Sequence, residues 1–184
     1  MKKFLSYSGI LFVSLTLTLG ACKKKDETTP TNNSNPKAGI VTCKVGGTVW
    51  ESNSANTPVM FGDTTFGSVT ATIEGDTFSL LAFRSKSADT SLIMMNLLMN
   101  TNRLGTYTMT GSDYNIFYFP STDPLAIFAI LFDYTASSSC TITKWDATNK
   151  KVSGTFTTTM TSGSGGPTYT ITEGSFIDVS YTQL

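Results

Sequence analysis

From residue 41 onward, hydrophobic and polar residues alternate in short runs, which is typical of half-buried β-strands. Val41, Cys43 and Val45 share one face of the first run, and the intervening positions are polar. The Gly-Gly pair that follows predicts a two-residue turn into a second strand at residues 48–50. The region therefore predicts an antiparallel hairpin.

Similar runs rich in Thr, Val, Ile, Tyr and Phe continue to the C-terminus, separated by turn residues. Many short strands at such spacing predict an all-β domain, and we expect an antiparallel β-sandwich. A closed or partly closed β-barrel is the alternative. Strands are predicted at residues 66–73, 77–83, 107–110, 114–119, 141–145, 152–160, 168–172 and 175–181, with turns at 74–76, 146–149 and 173–174 and a flexible hairpin loop at 162–166.

Two segments, residues 92–99 and 125–134, are almost continuously apolar. Periodicity alone cannot separate a strand that is buried on both faces from a buried helix. Because both runs are short and bounded by Asn, Gly or Pro, we expect strands, with a helical turn in one of them as the alternative.

The N-terminus carries a different pattern. Residues 1–3 are Met-Lys-Lys, and residues 4–19 are mostly apolar, which together indicate a secretory signal peptide over residues 1–21. Residues 19–22, Leu-Gly-Ala-Cys, resemble the bacterial lipobox. The resemblance implies cleavage before Cys22 and acylation of that cysteine, whereas an ordinary signal peptidase site is the alternative. Two or more acyl chains anchor a protein stably to a membrane.

The segment after Cys22 is strongly polar. Residues 23–37, KKKDETTPTNNSNPK, contain no large hydrophobic side chain, so we expect residues 22–38 to form a disordered, lipidated tether. The charged run at 23–27 resembles the export signals of Bacteroidota-type surface lipoproteins. That resemblance implies attachment to the outer membrane, with exposure to the outside as the expectation and a periplasmic position as the alternative.

The remaining residues, 39–184, are enough for one domain with one hydrophobic core. They include 7 Lys and Arg against 11 Asp and Glu, a net charge of −4. Nucleic-acid binding demands a basic surface, so a nucleic-acid partner is not expected.

The composition also limits the chemistry. The chain has no histidine, which removes histidine-based triads and most zinc or copper sites. Acids such as Asp63, Glu74 and Asp76 are near one another in sequence, but acids beside a tight turn are usually turn residues. We therefore predict no catalytic residue, no metal site and no cofactor, and a protein that is not an enzyme.

Two cysteines lie within the domain. Cys43 shares a strand face with Val41 and Val45, and Cys140 shares one with Ile142, so both are predicted to point inward. An exported domain with two cysteines suggests a disulfide between them. Two buried free thiols fit the same positions.

Aromatic residues indicate a candidate binding surface. The segment 111–120, GSDYNIFYFP, places Tyr114 and Tyr118 on one strand face and Phe117 and Phe119 on the other. One face can enter the core while the other stands exposed as a platform for a glycan or a peptide. Packing of both faces is the alternative.

Five short motifs resemble a family of small Bacteroidota lipoproteins of unknown function: GTVW at 47–50, GTYT at 105–108, TITK at 141–144, VSGTF at 152–156 and ITEGSF at 171–176. Members of that family have a lipobox, a polar tether and one β-sandwich-like domain ending in a Thr-x-Gly-x-Phe hairpin. The resemblance supports fold and location and implies no catalytic residues.

Three classes of function remain open from the sequence. The first is a lipid-anchored binding or structural module of the envelope or cell surface, with a glycan or protein ligand. The second is a carrier barrel that holds a hydrophobic ligand near residues 92–99 and 125–134. The third is a hydrolase that uses carboxylates in place of histidine. We rank them in that order.

Overall fold

The computed structural model describes residues 37–53, 68–86, 89–111, 114–121 and 124–184. The described part of the chain forms ten strands and one helix. In chain order these are β1 (Val41–Val45), β2 (Thr48–Glu51), β3 (Val69–Glu74), β4 (Thr77–Lys86), β5 (Asp89–Leu98), β6 (Gly105–Gly111), β7 (Ile116–Phe119), α1 (Pro124–Asp133), β8 (Tyr134–Asp146), β9 (Lys151–Ser162) and β10 (Tyr169–Gln183).

All ten strands belong to one sheet, in the order β6-β8-β9-β10-β3-β4-β5-β7, with β1 and β2 joined to it through β10. Neighbouring strands are antiparallel except β3 and β10, which pair in parallel. The sheet curls into a half-barrel, so the predicted all-β class is confirmed. The curl is compatible with the barrel alternative as well as with two facing layers.

The predicted hairpin turns at the start of the domain are confirmed. Val45 pairs with Thr48 across a two-residue turn, in which Gly46 and Gly47 have φ angles of +55° and +83°. Turns of this type need positive φ at both central positions, which glycine adopts without a steric penalty. The 74–76 turn is equally tight, with Gly75 at a φ of +57°.

Strand β10 is long because two irregularities let it bend rather than end. Its register with β9 shifts between Ile171 and Gly174 and again between Phe176 and Val179. The prediction of a turn at 173–174, and of a Thr-x-Gly-x-Phe hairpin there, is therefore wrong: the segment is a β-bulge inside one strand. Glu173 has a φ of +52°, and a Cβ on Gly174 would lie 2.5 Å from the carbonyl oxygen of Phe156.

The two ambiguous apolar runs have different structures. Residues 92–98 lie within strand β5, as predicted, but residues 125–133 form helix α1, so the strand prediction for 125–134 is wrong. Pro124 stands at the first helical position, where its missing N–H costs nothing. Ile127 and Ile130, spaced for one helix face, are buried. No helix in the described ranges is long and apolar enough to span a membrane.

The hydrophobic residues form two clusters. The larger cluster fills the concave side of the curled sheet and includes Trp50, Phe78, Met95, Ile116 and Phe176. The smaller cluster lies under α1 and joins the helix to β5, β7, β8 and β9 through Leu92, Phe117, Phe119, Ile127 and Met160. Strand β7 lies between the two clusters, and this position determines which aromatic side chains of residues 114–119 are buried.

Candidate functional site

A groove of about 740 Å³ runs along strand β6. Its walls are the residues of β6 from Thr106 to Gly111, together with Leu98 at the end of β5 and Tyr114 before β7. Leu98 and Tyr114 expose 53% and 40% of their surfaces. We call this feature the β6 groove, and its size lies in the range of small-ligand sites.

The β6 groove follows a free strand edge. In the described ranges β6 pairs with β8 alone, from Gly105 opposite Ile142 to Gly111 opposite Ala136. Alternate residues of an antiparallel edge strand direct their N–H and C=O groups away from the sheet. Edge strands are usually protected by charged residues or proline, and the β6 sequence GTYTMTG has neither. The edge can therefore accept another strand.

Strand β7, at the other end of the sheet, has no comparable edge, because buried polar side chains cover it. The Asn115 amide donates from Nδ2 to the carbonyl oxygens of Gly111 (2.9 Å) and Ala136 (2.7 Å). Its Oδ1 accepts from the Ile116 N–H at 2.9 Å. Asn115 is fully buried, so its bonds to Ala136 and Ile116 satisfy groups that water cannot reach.

Side chains of β8 and β9 complete this closure, which we call the polar seam. The Ser138 hydroxyl contacts Asn115 Oδ1 and lies 2.7 Å from Thr158 Oγ1. Thr158 Oγ1 donates to the carbonyl oxygen of Ile116 at 3.0 Å. The Tyr118 N–H points to the sulfur of Met160 at 2.9 Å. The β7 backbone is thus paired with side chains instead of a further strand.

The convex surface beside β6 is a regular array of hydroxyl groups. Thr106, Thr141 and Thr155 are register partners on β6, β8 and β9, and the first two share a hydrogen bond of 2.9 Å. Two parallel rows follow, through Thr108, Ser139 and Thr157 and through Thr110, Ser137 and Thr159. We call these nine residues the hydroxyl face. It is uncharged and adjoins the β6 groove.

The predicted aromatic platform does not form. Phe117 and Phe119 are buried under α1, and Tyr118 is partly buried, with its ring 5.5 Å from that of Tyr169. The prediction of an exposed face is wrong for Phe117 and Phe119 because β7 lies between the two hydrophobic clusters and both its faces are covered. Tyr114 alone of the four lines the groove.

Cys43 and Cys140 point inward as buried residues, and the structure holds both as free thiols. The disulfide alternative is not formed. Strands β1 and β8 are not neighbours in the sheet, since β10 and β9 lie between them. Burial raises the pKa of each thiol to about 12, with the nearby Arg84 charge opposing the rise at Cys43.

The carboxylate of Asp133 fixes the predicted 162–166 loop to the end of α1. Asp133 accepts hydrogen bonds from the hydroxyls of Ser162 and Ser164 and from the Ser164 N–H. The Ser162 bond, followed by that of Ser164, holds the pKa of Asp133 below its usual value. All these contacts join the end of α1 to residues 162–164, which is a structural role.

The other acids considered from the sequence do not converge. Asp76 lies 3.1 Å from the Arg103 guanidinium, in an exposed ion pair, and Glu74 ends strand β3. Asp63 lies outside the described residues, as do the predicted signal peptide (1–21), Cys22 and the tether up to residue 36. Within the ranges that the structure describes, no group of three or more Cys, Asp or Glu side chains is placed to hold a metal ion.

Sequence reasoning missed the β6 groove and the polar seam. Of the groove residues, Tyr114 was the one that it named as part of a binding surface. A signal for the groove was present in the charge-free, proline-free run at 105–111. Asn115 gave no signal, because an asparagine before a strand is usually a turn residue.

Comparison with known proteins gives one match. Residues 37–180 match the family model described as Domain of unknown function (DUF6252). No curated protein and no solved structure matches the chain. The description of the family assigns no activity, so no residue role is transferred to this chain.

Proposed function

We propose that this chain, which belongs to the DUF6252 family, is a lipid-anchored module of the bacterial envelope that binds an extended polypeptide at the free edge of β6. One observation carries the proposal: among the described residues β6 pairs on one side only, carries neither charge nor proline, and borders an open groove. Addition of a peptide strand to a sheet edge is a recurrent mode of recognition.

The dimensions favour a peptide in extended form. Seven residues of β6 extend over about 23 Å, and a ligand strand of about six residues can pair along residues 105–110, since the Gly111 carbonyl already accepts from Asn115. Main-chain hydrogen bonds would supply affinity, and alternate side chains of the ligand would enter the groove beside Leu98 and Tyr114. The groove residues carry no charge, so we expect a neutral ligand segment.

A glycan is the second candidate, and one observation favours it. Tyr107 and Tyr114 both line the β6 groove, next to the hydroxyls of Thr106, Thr108 and Thr110. An aromatic ring with neighbouring hydroxyls can hold a sugar. The Tyr107 hydroxyl is already bonded to Asn100 at 3.1 Å, however, which leaves Tyr114 as the principal ring for stacking.

The carrier and hydrolase alternatives have less support. A carrier requires an internal cavity, whereas Leu80, Ile93, Met95, Leu97 and Ile116 fill the concave side of the sheet and are fully buried. A hydrolase requires two acids in one cleft, whereas the β6 groove has no acid and two further grooves have one each, Glu173 and Asp178.

The anchor is proposed from the sequence around Cys22, in a Bacteroidota-type outer-membrane lipoprotein. Cys22→Ala is expected to abolish incorporation of a palmitate analogue and to release the protein from the membrane fraction. Undiminished label in this variant would contradict the lipid anchor. The same measurement on Cys43→Ala, a buried thiol, serves as the control and should retain full label.

The groove proposal is tested with synthetic peptides on isotopically labelled, purified protein. The probe is an alternating Thr-Val heptapeptide, and the matched control is the same peptide N-methylated at alternate residues, which removes its hydrogen-bond donors on one edge. We expect the first peptide to shift the backbone amide signals of residues 105–111 and the second to have no effect. Thr108→Lys should weaken binding, because a lysine protects a strand edge.

The outcomes separate the candidates. Equal binding of both peptides would contradict strand addition. Binding of a neutral hexasaccharide that is lost in Tyr114→Ala but kept in Thr108→Lys would favour the glycan. Shifts confined to residues outside 98–114 would contradict the β6 groove as the site.

A further inference from the structure

The outer side of helix α1 exposes large apolar side chains. Phe132 has 87% of its surface exposed and Leu125 has 78%. These residues and the exposed Ala129 are spaced i, i+4 and i+7, so they form a continuous stripe on one side of the helix. We call it the α1 stripe. A helix on a protein surface normally turns polar residues outward, so this stripe needs an explanation.

Helix α1 contains one charged residue, and its charged group already accepts hydrogen bonds within the domain. Asp133 is the single charged residue in the sequence of α1, PLAIFAILFD. Its carboxylate accepts bonds from Ser162, the last residue of β9, and from Ser164 in the loop that follows. The opposite side of the helix is buried through Ile127 and Ile130. The helix is therefore held firmly on the domain while it presents an apolar surface.

We propose that the α1 stripe inserts into the interfacial region of the lipid bilayer to which the protein is anchored. The inference rests on the proposed lipid anchor and adds a second contact that orients the domain. An apolar stripe enters the boundary between headgroups and acyl chains, and its affinity grows with the apolar area that is buried. Once an anchor holds the domain near the lipid, a small insertion is sufficient.

The area of the stripe favours lipid over a second protein. Two side chains expose a few hundred Å² at most. A stable protein interface buries about 800 Å² on each partner, with a polar rim around an apolar centre. The α1 stripe is too small for such an interface by itself, whereas a bilayer contact has no minimum area when the anchor supplies proximity.

The chain between the anchor and the domain is long enough. The 17 residues 22–38 can span up to about 55–60 Å. They lead into Gly39, whose N–H donates to Ile177 on β10 at 2.7 Å. Tyr169 is at the other end of β10, at most about 26 Å from Ile177. Its ring lies 5.9 Å from that of Tyr134, the residue that follows α1. The anchor therefore permits α1 to reach the bilayer.

Insertion of the stripe would set the distance between the β6 groove and the bilayer surface. Tyr134, the first residue of β8, adjoins α1. Ile142 lies eight residues further along β8, about 26 Å away, and pairs with Gly105 of β6. With α1 in the headgroup region, the Gly111 end of the groove would be near the lipid and its Gly105 end would be farther out. A ligand could then enter from the outer end.

The test places an environment-sensitive fluorophore on the lipidated full-length product, isolated from the envelope and reconstituted in phosphatidylcholine vesicles. Ala129→Cys places the label within the stripe while keeping Leu125 and Phe132. Thr148→Cys, in an exposed turn remote from α1 in sequence, is the matched control. Cys43 and Cys140 are buried with pKa values near 12 and should remain unlabelled.

We expect a blue-shifted emission and quenching by brominated lipid at position 129, and neither at position 148. Adding Phe132→Ser to the Ala129→Cys protein should reduce both effects. Water-like emission at position 129 in protein that co-floats with vesicles would overturn the inference and leave the anchor intact. Failure to co-float would overturn the anchor and the inference together.

A protein partner would give a different result. A blue shift that is independent of brominated lipid, grows with protein density in the vesicle and is accompanied by cross-linking between labels at position 129 would overturn the bilayer contact in favour of a second copy of the chain.

Discussion

Strands β6 and β7 lie at the two ends of the same sheet, and their outer edges have different surroundings. At β7, the side chains of Asn115, Ser138 and Thr158 bond to the N–H and carbonyl groups of Ile116 on the edge away from β5. At β6, a seven-residue edge without charge or proline faces an open groove. Both edges are short stretches of uncharged residues, so strand composition by itself does not explain the difference.

The difference lies in the curl of the sheet. Curling brings β7 over the concave side of β8 and β9, where an unpaired polar group would be costly because water is excluded. Side chains on those strands therefore complete its hydrogen bonds. Strand β6 lies beyond β8 on the outer rim, where water can satisfy its free groups. One edge serves stability, and the other remains available for a ligand.

The largest effect is expected at the closed edge. Asn115→Ala removes an amide that serves two carbonyl groups and one N–H; it leaves the buried Ala136 carbonyl without this donor, and the Ile116 N–H keeps only its longer bond to Ser138. We expect a loss of about 3 kcal/mol in the free energy of unfolding. Chemical denaturation measures it. The exposed Asn102→Ala is the control and should change the value by less than about 0.5 kcal/mol.

The polar seam also allows a comparison of two neighbouring threonines on β9. Thr158→Val keeps the shape of the side chain but removes the hydroxyl that bonds to Ile116 and Ser138, so we expect a loss of about 1–2 kcal/mol. Thr157→Val, on the exposed hydroxyl face, should be neutral within about 0.5 kcal/mol. Equal losses in the two variants would contradict the importance of the seam.

Acid should weaken the attachment of the 162–166 loop to α1. The pKa of Asp133 is lowered in the folded protein by its bonds to Ser162 and Ser164. A lowered folded-state pKa contributes stability above the unfolded value of 3.8, and this contribution is lost as the pH falls through the folded-state pKa. Asp133→Asn should therefore be less stable than the wild type near neutral pH.

Urea denaturation at a series of pH values checks this expectation. The difference in midpoint between the wild type and Asp133→Asn should shrink below about pH 4. The depressed pKa values of Asp146 and Asp178 affect both proteins equally and cancel in the difference. A difference that stays constant with pH would show that the carboxylate charge is unimportant.

The smallest effect on stability is expected at the open edge. Thr108→Lys adds a charge to an exposed position of β6 and should change the free energy of unfolding by less than about 0.5 kcal/mol. Loss of peptide binding in this variant, with unchanged stability, would show that the β6 edge serves binding and that the β7 edge serves stability. A large destabilisation would mean that β6 is not a free edge in the folded protein.

The sequence by itself determined the elements whose signals are local. Alternation at 41–45 and the Gly46-Gly47 pair specified a hairpin, because period-two patterning and positive φ are properties of neighbouring residues. The inward direction of Cys43 and Cys140 followed from the same alternation. The absence of histidine limited the possible chemistry before any fold was considered.

Tertiary structure decided what depends on distant partners. Residues 125–133 became a helix because its inner face covers a second hydrophobic cluster, whose other members come from β5, β7, β8 and β9. Phe117 and Phe119 were buried by the same helix. Position 174 of the bulge requires glycine because the carbonyl oxygen of Phe156 leaves no space for a Cβ, and that carbonyl is on another strand. The curl of the sheet determines which of its edges is closed. The curl depends on all ten strands together, so no single segment of the sequence predicts it.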